Sequence, residues 1–182
     1  MVIINIFKNI DYLSGSRTDL RLSFNDTNTN LAELPMNWKF LSKIWRPDTY
    51  FLNGKDSYLH KVVVPNRFIR IAPTGKISYS QRLTVTARCQ MDLRKFPLDT
   101  QACPLDIGSF GFTDDEILYS WDDTPLSMDE ALELAQYQMI SWQNGEKLIT
   151  VRNGRKSVIF LEFHFRRAIG FYILQVITLS PD

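Results

Sequence analysis

The sequence predicts an all-β protein of the sandwich type, and three observations carry this prediction. Several short segments alternate polar and apolar residues, as strands with one buried face do. Turn-forming residues separate these segments at regular spacing, which is typical of a β-sandwich. Only residues 126–138 have a helix-like composition, and an irregular loop is the equal alternative for them. The chain has 182 residues, 45% of them hydrophobic, which is enough to fill the core of one domain or slightly more.

The N-terminal part shows the weakest pattern. Residues 1–7 suit an edge strand, and residues 19–24 alternate polar and apolar side chains as a strand does. Asn25 begins an Asn-Asp-Thr triplet, the acceptor sequence for N-glycosylation, in a polar loop. Residues 45–53 are rich in aromatic side chains and interrupted by a proline, so we predict a strand at the edge of the core.

The middle of the chain predicts a hairpin followed by two strands. Residues 68–71 and 76–80 flank a turn at residues 72–75, whose proline and glycine suit a tight reversal. Residues 82–88 alternate strictly and lead into the first cysteine. Residues 105–112 form a further predicted strand that ends in small residues.

The dipeptide Asn153-Gly154 is the strongest short hairpin signal in the chain, and it separates residues 147–152 from residues 157–165. In the second of these strands, the odd-numbered positions from 159 to 165 are all apolar and form one face. His164 lies on the opposite face. It is therefore predicted to be a surface residue rather than a metal ligand or a base.

Cys89 and Cys103 are the only cysteines, and 13 residues lie between them. Two cysteines with no histidine nearby cannot supply the four ligands of a structural zinc site. A disulfide is the economical interpretation, and it implies an oxidising compartment. In the chain-entropy model a loop of this size stabilises the fold by about 3 kcal/mol. Two unpaired core thiols are the alternative.

Nothing in the sequence indicates catalysis or nucleic-acid binding. A net charge of +1, with no basic patch interleaved with aromatic residues, argues against a nucleic-acid partner. The sequence contains no nucleophile with a partner base, glycine-rich phosphate loop or metal cluster, so we predict a binding module without cofactor or metal, not an enzyme. The acidic run at residues 114–116 lacks the ligand spacing of a calcium loop and is predicted to be a solvated turn.

The segment between the cysteines contains an unusual run, Phe96, Pro97, Leu98 and Asp99. Proline fixes its own φ and favours extended backbone before it, so the two apolar side chains are displayed on a bend. A stapled loop that displays apolar groups suits contact with something outside its own domain. Together with the cysteine spacing, this run resembles the signature loop of the pentameric Cys-loop ligand-gated ion channels.

The resemblance covers roughly residues 40–179 and is greatest to the anion-conducting branch, the GABA-A, glycine and glutamate-gated chloride receptors. Residues 45–53 resemble the first principal binding loop of that branch, and residues 167–175 resemble the entry to its first membrane helix. The implied fold is the immunoglobulin-like β-sandwich of the channel ligand-binding domain. The implied protein binds an amino-acid-type neurotransmitter between identical or homologous subunits of a pentamer and opens a chloride channel. It would lie on the extracellular side of the cell membrane.

The resemblance also divides the chain into two parts. Residues 1–168 would form the extracellular ligand-binding domain, and residues 169–182 the truncated start of the first transmembrane helix. The apolar run 169–179 is far shorter than the ~20 residues that span a bilayer, and a buried core element is the alternative. About 20 residues that the family places before residues 21–24 are missing, which predicts a shortened N-terminal part and an open sheet edge beside the binding site. A chain that is really this short would be secreted.

Several residues match ligand-binding positions of the family. Tyr50 matches the aromatic residue of the first loop, and Ser109 and Phe110 match the second loop, where an aromatic face holds an ammonium by cation–π attraction. Gly108 stands where GABA-binding subunits place an acidic residue. Lys156 lies in the third loop, where the family usually has a tyrosine. A basic side chain there would repel an amine, though it could attract an anionic ligand.

On the opposite face, Arg70 and Ser80 match positions that contact the carboxylate of the ligand. The subunit is therefore expected to serve better as a complementary face than as a principal amine-binding face. For gating, the resemblance implies that the 96–98 tip presses on the membrane domain while Asp99 pairs with Arg166 or Arg167.

Two other classes of function compete with a channel subunit. The first is a soluble or truncated ligand-binding homologue that lacks a pore. The second is an adhesion sandwich of immunoglobulin type, which is disfavoured because its usual disulfide between the two sheets spans a far longer separation than the one found here.

Overall fold

A computed structural model describes residues 12–24, 32–59, 66–126, 136–152 and 154–170 of the chain. Within them lie nine strands and two short 3-10 turns, and no helix there is long and apolar enough to cross a membrane. The strands are β1 (Tyr12–Thr18), β2 (Leu34–Met36), β3 (Thr49–Phe51), β4 (Gly54–Leu59), β5 (Arg67–Ile71), β6 (Lys76–Ala87), β7 (Thr100–Ser109), β8 (Tyr137–Val151) and β9 (Gly154–Arg167). They form two sheets whose described pairings are antiparallel, which confirms the predicted all-β fold class.

The two sheets belong to two compact units of the chain. One unit contains β3, β7, β8 and β9, and the other contains β1, β2, β5 and most of β6.

The first sheet has the strand order β1-β6-β5-β2, and β4 also pairs with β6. Strand β1 lies opposite residues 76–82 of β6. The predicted open sheet edge is therefore wrong for β6 over these residues, because β1 supplies its hydrogen-bonding partners. Strand β6 runs without a break from Lys76 to Ala87, so the strands predicted at residues 76–80 and 82–88 are one.

Strand β1 ends at Thr18 because Asp19 turns the chain. The carboxylate of Asp19 accepts a hydrogen bond from the backbone N–H of Arg21 at 3.2 Å, as an N-cap does. The backbone N–H of Leu22 donates to the Asp19 carbonyl at 3.0 Å. Residues 20–22 consequently form a 3-10 turn, and the strand predicted at residues 19–24 is wrong.

The predicted turn at residues 72–75 connects β5 to β6 and is confirmed. The N–H of Ala72 donates to the carbonyl of Lys76 at 2.8 Å, and that of Gly75 donates to the carbonyl of Ala72 at 2.9 Å. Gly75 has a φ of +81°, and a Cβ there would lie 2.5 Å from the Asp19 carbonyl oxygen. Only glycine suits both conditions.

The alternation of side chains between the two faces of β5 and β6 determines which residues of the first sheet are buried. Ile69 and Ile71 on β5 and Ile77 on β6 are buried and cluster with Leu41, whereas Phe68 is half exposed on the other face. Opposite residues of antiparallel strands share a face, so the pairing of Ile71 with Ile77 puts both side chains in this core.

The second sheet has the strand order β3-β7-β9-β8, with β9 paired along both of its sides. The apolar odd-numbered positions 159, 161, 163 and 165 of β9 are all buried, as predicted. His164 is partly exposed on the opposite face of the strand, where its imidazole lies 3.3 Å from the Glu162 carboxylate. The surface position predicted for His164 is therefore confirmed.

Strand β8 begins at Tyr137, inside the segment 126–138 with helix-like composition. Both the helix and the irregular loop considered for this segment are wrong at its C-terminal end, and residues 127–135 lie outside the described part of the chain. Val151 of β8 lies opposite Gly154 of β9, so the hairpin predicted from Asn153-Gly154 is confirmed, although Asn153 itself is not described.

Candidate ligand-binding and coupling sites

The carboxylate of Asp48, just before β3, fixes the loop that follows β7. The hydroxyl Oγ of Ser109 donates to Asp48 Oδ1 at 2.5 Å, and the N–H of Gly111 donates to Asp48 Oδ2 at 2.6 Å. Ser109 Oγ also accepts a hydrogen bond from the N–H of Phe112 at 2.8 Å. Burial raises the pKa of Asp48, but these hydrogen bonds lower it more, so the net pKa lies below its ordinary value.

This fixed loop brings the first two predicted ligand-binding segments together. The rings of Tyr50 and Phe110 meet edge to face, with centroids 5.5 Å apart and an interplanar angle of 82°. Phe110 is 71% exposed, so its ring is available to a partner. The structure thus joins Tyr50, Ser109 and Phe110 in one place, and their role in ligand binding stays a prediction.

Gly108 lies directly between β3 and β9, opposite Tyr50 and Val158. A Cβ at this position would lie 3.1 Å from the Ser157 carbonyl oxygen and 3.1 Å from Val158 Cγ2. The acidic side chain that the resemblance implies for GABA-binding subunits at this position would therefore require neighbouring backbone to shift.

Lys156 on β9 reaches back to the same loop. Its ammonium Nζ donates to the carbonyl of Phe110 and, at 3.3 Å, to the carbonyl of Ser109. The same Nζ lies 5.7 Å from the centroid of the Phe110 ring, within the range of a cation–π contact. The third predicted loop residue therefore joins the site through the chain's own carbonyl groups.

The start of β9 is also fastened to the turn at residues 113–117. Arg155 pairs with the Asp114 carboxylate at 3.0 Å, and the N–H of Asp114 donates to the Arg155 carbonyl at 2.9 Å. The Asp114 side chain is only 8% exposed, so the prediction of a solvated acidic turn is wrong at this residue. Asp115 and Glu116 are exposed, as predicted.

The two predicted complementary-face residues differ in accessibility. The guanidinium of Arg70 is exposed, lies 5.4 Å from the Phe68 ring and pairs with Glu33 at 3.3 Å. Ser80 is buried, and its hydroxyl accepts a hydrogen bond from Ser14 Oγ on β1 at 2.9 Å. Arg70 is thus open to a ligand, whereas β1 covers Ser80.

Cys89 and Cys103 form the predicted disulfide, with their Cα atoms 5.0 Å apart and both residues buried, so the alternative of two core thiols is wrong. The loop that they close has a cis peptide bond between Phe96 and Pro97. Phe96 is 49% and Leu98 is 70% exposed, as expected for apolar groups displayed on a bend.

Asp99 points inward from this loop and forms a buried, bidentate ion pair with Arg167. Arg167 Nε donates to Oδ1 at 2.7 Å and Nη2 donates to Oδ2 at 2.8 Å. The hydrogen bonds from Arg167 hold the pKa of Asp99 at about 2, although burial opposes this shift. Of the two arginines predicted as partners, the structure selects Arg167, whereas Arg166 is exposed.

Three further residues complete this ion pair. The Arg167 guanidinium carbon lies 4.9 Å from the Phe96 ring centroid and 4.7 Å from that of Tyr137. Gln101 Nε2 donates to Asp99 Oδ2 at 2.6 Å and to the Asp92 carbonyl at 2.8 Å. We name the set Asp99, Arg167, Gln101, Phe96 and Tyr137 the Arg167 clamp.

Sequence reasoning missed Asp48, Gln101 and Tyr137 as site residues. Strand alternation could have identified Gln101 as a buried residue, because it lies on the same face of β7 as the buried Cys103. Tyr137 was hidden by the helix-like composition of its segment. Asp48 lies just before a strand, and an aspartate in such a position often accepts hydrogen bonds from backbone N–H groups. This is the signal that could have identified Asp48. The predicted glycosylation site Asn25 lies outside the described residues.

A disulfide-closed loop with an exposed apolar tip, an aromatic pair at the opposite end of the same sheet and a clamped strand end are features that the resemblance implies for the ligand-binding domain of a ligand-gated channel. Residues 9–169 match the family model for the neurotransmitter-gated ion-channel ligand binding domain. The chain belongs to this family, which consists of receptor channels rather than enzymes.

Two relatives show the branch of the family. The gamma-aminobutyric acid receptor subunit beta-4 of Gallus gallus is 41% identical over 173 residues, which is 94% of this chain and 34% of the relative. The gamma-aminobutyric acid receptor alpha-like protein of Drosophila melanogaster is 42% identical over 136 residues, 74% of this chain and 19% of the relative. The chain is thus a ligand-binding domain homologous to GABA receptor subunits, and it spans about a third or less of these relatives.

Proposed function

We propose that the chain is the extracellular ligand-binding part of a subunit of a pentameric chloride channel opened by an amino-acid-type neurotransmitter. Residues 1–168 form this part, and residues 169–182 begin the first membrane helix. The observation that carries the proposal is the Arg167 clamp, because it ties the disulfide loop to the last residue of β9. We also propose placement at the cell membrane, which the family supports, and glycosylation at Asn25, which its Asn-Asp-Thr triplet supports.

Strand β9 connects the ligand end of its sheet to the clamp. Lys156 lies near its start and Arg167 at its end, which is about 37 Å apart at about 3.4 Å per residue. Because β7 and β8 pair with it on both sides, β9 is held as a stiff central strand. A ligand that moves the β8–β9 hairpin therefore displaces Arg167 and, through the ion pair, Asp99 and the disulfide loop. The exposed Phe96 and Leu98 of this loop pass the displacement to the membrane domain.

Arg70 is the residue we propose to contact the carboxylate of the ligand from the complementary face. Its pair with Glu33 joins two exposed side chains, and such pairs contribute only about 0–1 kcal/mol. An incoming carboxylate can therefore compete for the guanidinium. Ser80 takes part only if β1 moves, because Ser14 holds its hydroxyl. The principal face comes from a homologous neighbouring subunit.

The test is a chimera that joins residues 1–168 to the pore-forming part of the Gallus gallus relative, expressed together with that relative. Chloride currents evoked by gamma-aminobutyric acid are compared for the chimera, Asp99→Asn and Asp106→Asn. Asp106 is the matched control, because it is likewise an aspartate in an ion pair, with Lys147 at 2.7 Å, but it lies on β7 and outside the clamp.

We expect Asp99→Asn to reduce the maximal current by about tenfold or more, with a smaller change in binding, since the clamp acts after the ligand is bound. Asp106→Asn should leave the maximal current within about twofold of the chimera. Equal currents for Asp99→Asn and Asp106→Asn would contradict the coupling role, and a silent chimera that reaches the cell surface would contradict the channel function.

A further inference from the structure

The loop after β7 has the chemistry of a receptor for an ammonium group. The ring of Phe110 offers the negative face of an aromatic quadrupole. The carbonyls of Ser109 and Phe110 converge on one point beside that ring, since a single ammonium reaches both. Asp48 holds the loop through Ser109 and Gly111, so the two carbonyl groups are arranged in advance of any ligand.

The ammonium of Lys156 occupies this place. Among the described residues, its hydrogen-bond acceptors are these two carbonyl groups, and it forms no salt bridge there. Lys147 provides the contrast, because its Nζ lies 5.2 Å from the Phe160 ring but bonds the Asp106 carboxylate at 2.7 Å. Lys156 is thus held by neutral acceptors and a ring, which are the groups that a free primary ammonium would use.

The chain also keeps Lys156 in position. Its neighbour Arg155 is bound to Asp114 through both an ion pair and a backbone hydrogen bond. A tethered group acts at an effective concentration in the millimolar range or above. A free amine must therefore displace the Lys156 ammonium, which is covalently tethered beside the site.

We propose that Lys156 is a built-in ammonium that occupies the site formed by Phe110 and the two carbonyls, and so closes this face of the chain to primary-ammonium ligands. The inference rests on the proposed ligand-binding function for its biological meaning. It assigns the amine-binding face to a neighbouring subunit and leaves this chain to contribute its carboxylate-binding face. Because the Lys156 ammonium is bound internally, it does not serve as a site for an anionic ligand.

The test has two parts, both made on the full, oxidised chain. The first treats the wild type with an amine-acylating reagent and measures the rate at each lysine by mass spectrometry, with the exposed Lys76 and Lys95 as internal references. The second titrates the wild type and Lys156→Met with propylammonium chloride, followed by NMR, and uses propan-1-ol as the neutral probe. Lys147→Met is the matched control, and Lys156→Met combined with Phe110→Leu tests the ring.

We expect Lys156 to be acylated about tenfold more slowly than the reference lysines, because its ammonium is held in three contacts. Lys156→Met should bind propylammonium about tenfold more tightly than the wild type does, with no gain for propan-1-ol. Lys147→Met should behave as the wild type. Adding Phe110→Leu, a change at an exposed ring, should abolish the gain.

Acylation of Lys156 at the rate of Lys76 and Lys95 would overturn the inference without any variant, and so would a protected Lys156 whose replacement by methionine brings no propylammonium binding. Neither measurement needs a pentamer or a current. A silent chimera together with propylammonium binding by Lys156→Met would therefore defeat the proposed channel function and support this inference.

Discussion

Asp99 and Arg167 form the most buried ion pair in the described part of the chain, with side chains 2% and 6% exposed. Removing one partner of such a pair leaves the other charge buried without compensation. Gln101 then loses one acceptor as well, because its Nε2 bonds the same carboxylate. The pair therefore stabilises the fold as well as joining the disulfide loop to β9.

We predict that Asp99→Asn lowers the free energy of unfolding by about 3 kcal/mol at pH 7, measured by urea unfolding. The pKa of Asp99 is held at about 2, below its ordinary value of 3.8. A carboxyl with a depressed folded-state pKa contributes stability that is complete above about pH 4 and is lost as the pH falls through about 2. The difference between wild type and Asp99→Asn should therefore shrink over this range.

Asp106→Asn is the control for this measurement, because its ion pair with Lys147 is partly exposed. Its effect should stay within about 1 kcal/mol. A difference between wild type and Asp99→Asn that persists unchanged at pH 2 would show that the ionised clamp is not what stabilises the loop.

At the scale of elements, alternation predicted the strands whose faces differ most. The predictions of the apolar face of β9 and of both hairpins were correct. Burial of one face sets the alternation along a strand, and the turn residues at 72–75 and 153–154 act locally. Residues 19–24 alternate equally well, yet the Asp19 side chain bonds the N–H of Arg21 and makes a 3-10 turn. Alternation cannot distinguish these outcomes when a capping side chain competes with the sheet.

The candidate site was predictable to the same extent. The resemblance predicted the pairing of Asp99 with an arginine, which the structure contains, and it predicted Tyr50 and Phe110 as ligand contacts from their motifs. It did not reveal that Lys156 bonds the carbonyls of Ser109 and Phe110, because this contact depends on how β9 lies beside β7. Tyr137 was missed for a related reason, as its local composition favoured a helix over the long strand that tertiary pairing imposes.

We predict that Gly75→Ala destabilises the hairpin between β5 and β6 by about 1–3 kcal/mol. Its positive φ strains any other residue, and a Cβ would lie 2.5 Å from the Asp19 carbonyl oxygen. Thermal unfolding followed by circular dichroism measures the change. Gly170→Ala is the control, since a Cβ there meets no atom within 4 Å, and equal melting temperatures for the two variants would refute the role assigned to Gly75.

In the proposed function, ligand binding depends on the assembly of the chain with neighbouring subunits. The chain presents Arg70 as an accessible cation for a carboxylate, while Lys156 occupies its own aromatic ammonium site. A ligand with both an ammonium and a carboxylate can then be bound fully only when another subunit supplies the amine-binding face. The division of these residues therefore supports the proposed assembly with other subunits.

The mass of the folded, oxidised chain, measured by size-exclusion chromatography with light scattering over a range of concentrations, tests the proposed pentamer most directly. Five copies of a 21.2 kDa chain have a mass of about 106 kDa, and the account predicts a particle of this size at the highest concentrations. A chain with a native β-sheet spectrum and an intact disulfide that remains at 21.2 kDa throughout would contradict it.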